Sequence, residues 1–451
     1  MNIDFLLRVF IENSDKDAII WRGKVYQYKW LNERINYWIQ VLENFKVKNG
    51  EVVIIEADFT PNSIALFFAL IEKNCVLIPL TASVKNKKQE FIEIAQGERI
   101  ITIDNDDNIT IDKLTNIVNH ELYLELKSRN HPGLVLFSSG STGKNKAALH
   151  DLTGILEKFK VKKKVLRTVT FLLYDHIGGV NTMLYVLSNG GCIITTMDRS
   201  PESVLELIEK YKVELLPTSP TFINLILISE AYKNHDLSSL KIVTYGTESM
   251  PESTLTRFHS LFPLITLQQT YGLSEIGILR SKSKSSDSLW VKIGGEGFET
   301  RIIDGLLEIK AQSAMLGYLN APSPFTEDGW FITNDQVEVN GEFLKILGRK
   351  TEIINVGGEK VYPAEVENTI LEIEFVKDCV VYGVDNIITG KTVFADVEIK
   401  PEYNAELAKK EIRSYCNNHL SKYKVPSRIK IVEAINYSGR FKKIRKRDDQ
   451  N

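Results

Sequence analysis

The chain has 451 residues, 43% of them hydrophobic and 25% charged, with a formal net charge of −2. That length exceeds what one compact core sustains, so two or more domains are expected, and a near-neutral balance with scattered basic residues argues against a nucleic-acid surface as the main business. No stretch approaches the roughly 18 uninterrupted apolar residues of a membrane span; the run SIALFFALIEKNCVLIPL is broken by Glu72, Lys73 and Asn74.

The first residues, MNIDFLLRVFIENSDKD, set acidic side chains around a short apolar run without a small-residue cleavage site, which does not read as a signal peptide. Cys75, Cys192, Cys379 and Cys416 lie far apart, mostly in apolar segments and without CxxC or metal-ligand spacing. They read as buried thiols of a cytoplasmic protein. Up to about residue 130 the pattern alternates between helix and strand, as in TPNSIALFFALIEKN followed by CVLIPL, which predicts layered α/β architecture.

Next comes LVLFSSGSTGKNKAALH, residues 134–150. Leu134 to Phe137 read as a buried strand, and Ser138, Ser139, Gly140, Ser141, Thr142 and Gly143 follow it without interruption. Small residues bring backbone N–H groups close to a ligand, hydroxyls donate, and Lys144 or Lys146 adds charge, so the loop reads as a polyphosphate grip. It is not a P-loop, because only two residues separate Gly140 from Gly143 and Asn145 follows Lys144. Taken alone, the same cluster also suits a solvated linker.

FLLYDHIGGVNTML places Asp175 and His176 at the end of an apolar run, with Gly178 and Gly179 opening a predicted helix. A histidine there is as often a structural hydrogen-bonder as a site residue. Three strand–helix repeats follow: CIITTM then ESVLELIEKY, VELLPTS then PTFINLILISEAY, and LKIVTYGTES then PESTLTRFHSLF. Ser200 is a predicted cap, and Pro201 and Pro251 fall where a first helical turn tolerates proline. Such repeats build a parallel sheet that binds ligands at its carboxyl end, where Tyr245, Gly246, Thr247 and Glu248 fall.

In LQQTYGLSEIG, Tyr271 offers an aromatic face, Gln269 an amide, and Ser274 and Glu275 a hydroxyl and a carboxylate. A lone glutamate beside phosphates suits Mg²⁺. In EDGWFITNDQVEVNGEFLKILGRKTEIINVGGEKVYPAEVE, DGW and NGE read as hairpin turns, where an acid or arginine is usually just solvated. The last hundred or so residues read as a small α+β domain, with CVVYGV, TVFADVEIK and RIKIVEAI as strands around the helix NAELAKKEIRSYCNNHL.

These motifs resemble, in order and over essentially the whole chain, those of the acyl-adenylate-forming superfamily, which includes acyl-CoA synthetases, aryl-CoA ligases and the adenylation domains of nonribosomal peptide synthesis. SSGSTGKNK is similar to its phosphate loop T-S-G-[ST]-T-G-x-P-K, with Asn145 for the proline and Lys146 in place. The resemblance implies a large layered α/β N-terminal domain with a β-barrel-like portion, residues 1–348, and a small mobile α+β domain, residues 349–451.

It also implies ATP, Mg²⁺, and coenzyme A or a carrier protein's phosphopantetheine as thiol acceptor. The activity implied is formation of an acyl-adenylate from a carboxylic acid, then thioester formation. A free-standing amino-acid-adenylating domain is one alternative, and a degenerate nucleotide- or acyl-binding protein is another.

By the same resemblance, Gly246, Thr247, Glu248, Gln269, Thr270, Tyr271, Gly272 and Ser274 lie along the nucleotide, and Glu275 holds the metal. Asp335 and Arg349 contact the nucleotide, with Asn334 in a glycine's place. His176 and Gly246 border the acyl group, Thr351 falls on the hinge, and Gly358 lines the thiol tunnel. Asp175 falls one residue before the position of the α-amine-holding aspartate of amino-acid-activating domains, which favours an acid without that amine. The terminal G-K-x-x-R motif, whose lysine bridges carboxylate and phosphate, is met imperfectly by SGRFKKIRK. Arg440 and Lys443 rank level for that role, with Lys442 behind them.

Overall fold

The computed structural model describes residues 2–139, 145–439 and 441–445, with only the backbone of Ser139. Two seven-stranded sheets carry most of the N-terminal part. In one, Thr266–Gln269, Ile242–Tyr245, Leu215–Thr218, Arg167–Val169, Cys192–Ile194 and Asp17–Trp21 run parallel, and Lys24–Gln27 closes the edge as an antiparallel hairpin strand. In the other, the parallel strands Arg99–Ile103, Val52–Glu56, Val76–Leu80 and Gly133–Ser139 are followed by antiparallel Asn145–Asp151 and Gly317–Tyr318, with Ile109–Lys113 at the far edge. Helices pack between and over these sheets, as the alternating sequence pattern predicts.

Local signals explain the elements. Pro61–Glu72 is preceded by Thr60, whose hydroxyl accepts from Ser63 N–H while Ser63 Oγ accepts from Thr60 N–H, a reciprocal cap. All of this helix except Glu72 is buried, consistent with its near-continuous apolar sequence. Ser200 caps Pro201–Tyr211, with Pro201 at the first helical position. Pro251 instead sits one residue before its helix, Glu252–Leu261.

From Ser281 to Arg349 the chain forms a six-stranded antiparallel sheet, ending in the hairpin of Phe331–Asn340 and Phe343–Arg349. This is the portion expected to be barrel-like. Beyond it, a five-stranded sheet and the helices Pro363–Leu371 and Ala405–His419 enclose a separate core built on Val366, Ile370, Val381, Val397 and Ile412. The four cysteines are all buried and unbridged.

Candidate functional site

The parallel strands Leu215–Thr218 and Ile242–Tyr245 end at a cavity of about 240 Å³, as the strand–helix repeats predict. One wall is the phosphate-loop hairpin, with Ser138 and Lys146 directly opposite one another in the ladder. Glu275 faces them: its Oε1 accepts from Tyr318 OH at 2.7 Å and from Ser138 Oγ at 3.3 Å. Lys146 Nζ stands 4.9 Å from the Tyr318 ring centre, so one tyrosine orders both charges. Tyr318 carries no chemical signal in the sequence, lying on a two-residue edge strand.

The loop bearing Glu275 is held from behind by His150, a fully buried residue whose Nε2 meets the Ser274 carbonyl. Burial holds His150 below the ordinary histidine range, so the ring is neutral and Nε2–H donates. Gly246 is required by space, because a Cβ there would stand 2.7 Å from the Thr270 carbonyl oxygen. Thr247, Thr270, Gly272, Ser274, Arg349 and Thr351 also border the cavity.

His176 is both a helix cap and a lining residue. Its Nδ1 accepts from Gly178 N–H at 3.1 Å, capping the helix Ile177–Ser188, and the residue also lines the cavity.

Several expected contacts do not reach the wall. The Tyr271 ring is packed in the core of the antiparallel sheet, and its hydroxyl donates to Asp335 Oδ2 at 2.5 Å. Asp335 is itself buried, with Arg349 Nε 3.4 Å away across the hairpin, where the two residues are direct partners. Burial raises the Asp335 carboxyl and Arg349 opposes that shift. Gln269 is buried with Oε1 unpartnered among the described residues. Glu248 accepts from Thr221 N–H at the start of Pro220–Ser229 and, with Glu367, Lys443 and Arg445, borders a smaller cleft. Gly358 sits exposed beside a turn, and a Cβ there would meet nothing within 4 Å. Gly140, Ser141, Thr142, Gly143 and Arg440, and the side chain of Ser139, lie outside the described residues.

The terminal segment sets two of the three candidate cations apart. Lys443 Nζ is 2.7 Å from Asp378 Oδ1 and also donates to the Cys379 carbonyl, with side-chain exposures of 6% and 0% for the pair. Burial works against its charge, but Asp378 and Glu367 hold Lys443 above the ordinary lysine range. It is occupied as a structural ion, and Lys442 borders the cavity instead.

Neighbours in an extended arm point to opposite faces, which separates the two lysines. Phe441 turns the arm with φ of +51°, its ring against Phe171 and Phe222 and its carbonyl accepting from Ser219 Oγ at 3.0 Å. Lys442, two residues and Arg445 also have the spacing of K-x-x-R. Asn334, in a motif glycine's place, keeps a glycine-like conformation with φ of +59°.

Three cations, one carboxylate and a row of hydroxyls around one cavity suit a phosphate-bearing ligand. Among the described residues no three His, Cys, Asp or Glu side chains cluster for a metal. The lone Glu275 still fits Mg²⁺, which takes few carboxylates and completes its shell with phosphate oxygens and water.

Residues 10–298 match the AMP-binding enzyme family, and residues 365–442 match the AMP-binding enzyme C-terminal domain. The chain belongs to the AMP-binding enzyme family. It is similar to the long-chain-fatty-acid–CoA ligase of Haemophilus influenzae, 28% identical over 57% of this chain and 48% of that protein. It is also similar to the indoleacetate–CoA ligase of Aromatoleum aromaticum, 26% identical over 67% of this chain and 64% of that protein. The match thus spans from about half to just under two thirds of these relatives' length. The crystal structure of an anthranilate CoA ligase in complex with anthranoyl-AMP superposes with a TM-score of 0.84 at 18% identity, over 98% of this chain and 95% of that one. That likeness establishes the fold.

Proposed function

We propose that this chain activates a carboxylic acid with ATP and passes the acyl group to a thiol. A carboxylate oxygen attacks the α-phosphate, the bond to the β-phosphate breaks, and pyrophosphate leaves with the electron pair. A thiolate then adds to the acyl carbon of the adenylate, and the bond to the phosphate oxygen breaks to release AMP. The observation that carries this reading is the meeting of Lys146, Glu275 and Lys442 at one cavity from three distant parts of the sequence. It is supported by family membership and by relatives that bear CoA ligase names.

In this reading Lys146 neutralises the departing phosphates, and Lys442 lies between carboxylate and α-phosphate, where negative charge accumulates as the bond forms. Arg349 binds the nucleotide with Asp335 behind it, and Gly246, Thr247, Thr270 and Gly272 let its flat parts approach the backbone. Glu275, with Ser138 beside it, is the group that would hold Mg²⁺, which supplies charge neutralisation to the polyphosphate. His176 borders the acyl carboxylate from the helix start. The acceptor is coenzyme A or the phosphopantetheine of a carrier protein, reached after the terminal domain turns about Thr351 and brings Gly358 inward.

ATP–pyrophosphate exchange with a panel of carboxylic acids tests the first half-reaction. Exchange that depends on an acid and falls in Lys442→Ala is expected. Wild-type protein that exchanges with no acid would sink the activation reading in favour of a nucleotide-binding protein without turnover.

A further inference from the structure

Three buried polar side-chain atoms bordering the cavity have no partner among the described residues: Asn181 Oδ1, Thr218 Oγ1 and Thr247 Oγ1. Thr247 belongs with the nucleotide-side loop. Asn181 and Thr218 stand elsewhere, one on the helix Ile177–Ser188 and the other at the end of Leu215–Thr218. Gly178, Asn181 and Thr182 are spaced to share one helix face, and all three border the cavity. Thr182 returns its hydroxyl to the Gly178 carbonyl at 2.8 Å, which leaves Asn181 as the polar group of that face.

A buried amide without a partner is costly unless a ligand completes it. Leu172, Ile177, Leu273 and Ile278 contribute apolar surface to the same cavity, beside its hydroxyls and charged groups. The charged lysines, arginine and glutamate of the cavity all lie on other elements, so neither this helix nor Leu215–Thr218 offers a charge to a second ion. An additional carboxylate or an amine would be buried there uncompensated.

Resting on the activation reading above, we infer that the acid is compact, with an apolar body and a neutral hydrogen-bonding group, a hydroxyl or a carbonyl, that Asn181 and Thr218 bind. Five residues separate His176 from Asn181, which at the helical rise spaces the two polar groups roughly 7–8 Å apart along the axis. A planar hydroxy-acid has about that reach between carboxylate and hydroxyl. The cavity, about 240 Å³, lies below the roughly 300–1,000 Å³ of ordinary ligand pockets, which favours a short acid over a long alkyl chain.

The test is pyrophosphate exchange by the full chain with matched pairs: para-hydroxybenzoate against benzoate, para-hydroxyphenylacetate against phenylacetate, and levulinate against pentanoate, alongside succinate, alanine and palmitate. The expected result is a preference of about 10–100-fold in kcat/KM for the substituted member of at least one pair. Asn181→Leu and the near-isosteric Thr218→Val should each shrink that preference without lowering exchange of the unsubstituted acid. Two variants are used because each substitution also changes local packing. Strongest exchange with palmitate, succinate or alanine, or equal exchange within every pair, would overturn the inference and leave acid activation standing. No exchange with any acid would overturn both.

Discussion

Lys442 and Lys443 are chemically identical neighbours with different surroundings: Lys442 borders the cavity, and Lys443 pairs with Asp378. Replacing Lys443 with alanine leaves Asp378, fully buried, without its cation, so a loss of about 3–5 kcal/mol of stability is expected in chemical denaturation. Lys442→Ala should cost less stability than Lys443→Ala while slowing exchange about 10²–10³-fold, the usual cost of losing a preorganised charge at the reacting centre. Exchange lost in Lys443→Ala at unchanged stability would reverse the assignment. Glu275→Gln keeps a partner for Tyr318 OH but loses the charge, so exchange should fall while the midpoint holds, and thermal unfolding alongside exchange checks both. The sequence placed Lys443 ahead of Lys442 from motif spacing alone, because which acid each one faces is not legible along the chain.

At the scale of elements, the strand Asn145–Asp151 fixes the Glu275 loop through His150. The His150 ring is held below its ordinary value of 6.5 by burial. Between that value and the lowered folded one, the unfolded chain takes up a proton that the folded chain refuses, so this contribution is full above the unfolded pKa and is lost as pH falls. Denaturation midpoints from pH 7 down to pH 5 should therefore drop, and His150→Gln, whose amide N–H can still donate to the Ser274 carbonyl, should drop less steeply. Parallel slopes in the two proteins would remove His150 as the titrating group.

The hairpins were readable from DGW and NGE because their turn chemistry is local. Direct pairing of Asp335 with Arg349 was not, since a one-residue change of register would have parted them. Asn334 in a glycine's place is a departure in the sequence, and Phe441 carries no signal there. The backbone shows both in the left-handed region, asparagine at modest cost and phenylalanine held there by ring packing.

For the whole molecule, Phe441 belongs in sequence to the terminal domain but packs its ring into the N-terminal one, against Phe171 and Phe222. Phe441→Ala removes that packing and retains the unfavourable φ, whereas Phe441→Gly removes the packing and relieves the backbone. Both should raise hydrogen exchange over the terminal segment and reduce pyrophosphate exchange, with glycine milder by up to about 1 kcal/mol. Equal protection in wild type and both variants would show that the ring does not hold the arm.

The sequence by itself determined the alternation of strands and helices, the cap at Ser200, the parallel sheet with its ligand end, and the strand from Leu134 to Phe137 that leads into the phosphate loop. Those features follow from periodicity and turn chemistry, which act over a few residues. Only the tertiary structure decided which side chains meet. It sealed Tyr271 and Asp335 behind the wall, turned Glu248 to cap a helix, gave Tyr318 to Glu275, set Asn181 on the cavity wall, and sent Lys443 to Asp378. Each of those outcomes rests on burial and on partners far away in the chain, since desolvation lets a charge or amide persist inside only where a counterpart arrives. No spacing along the sequence encodes that arrival.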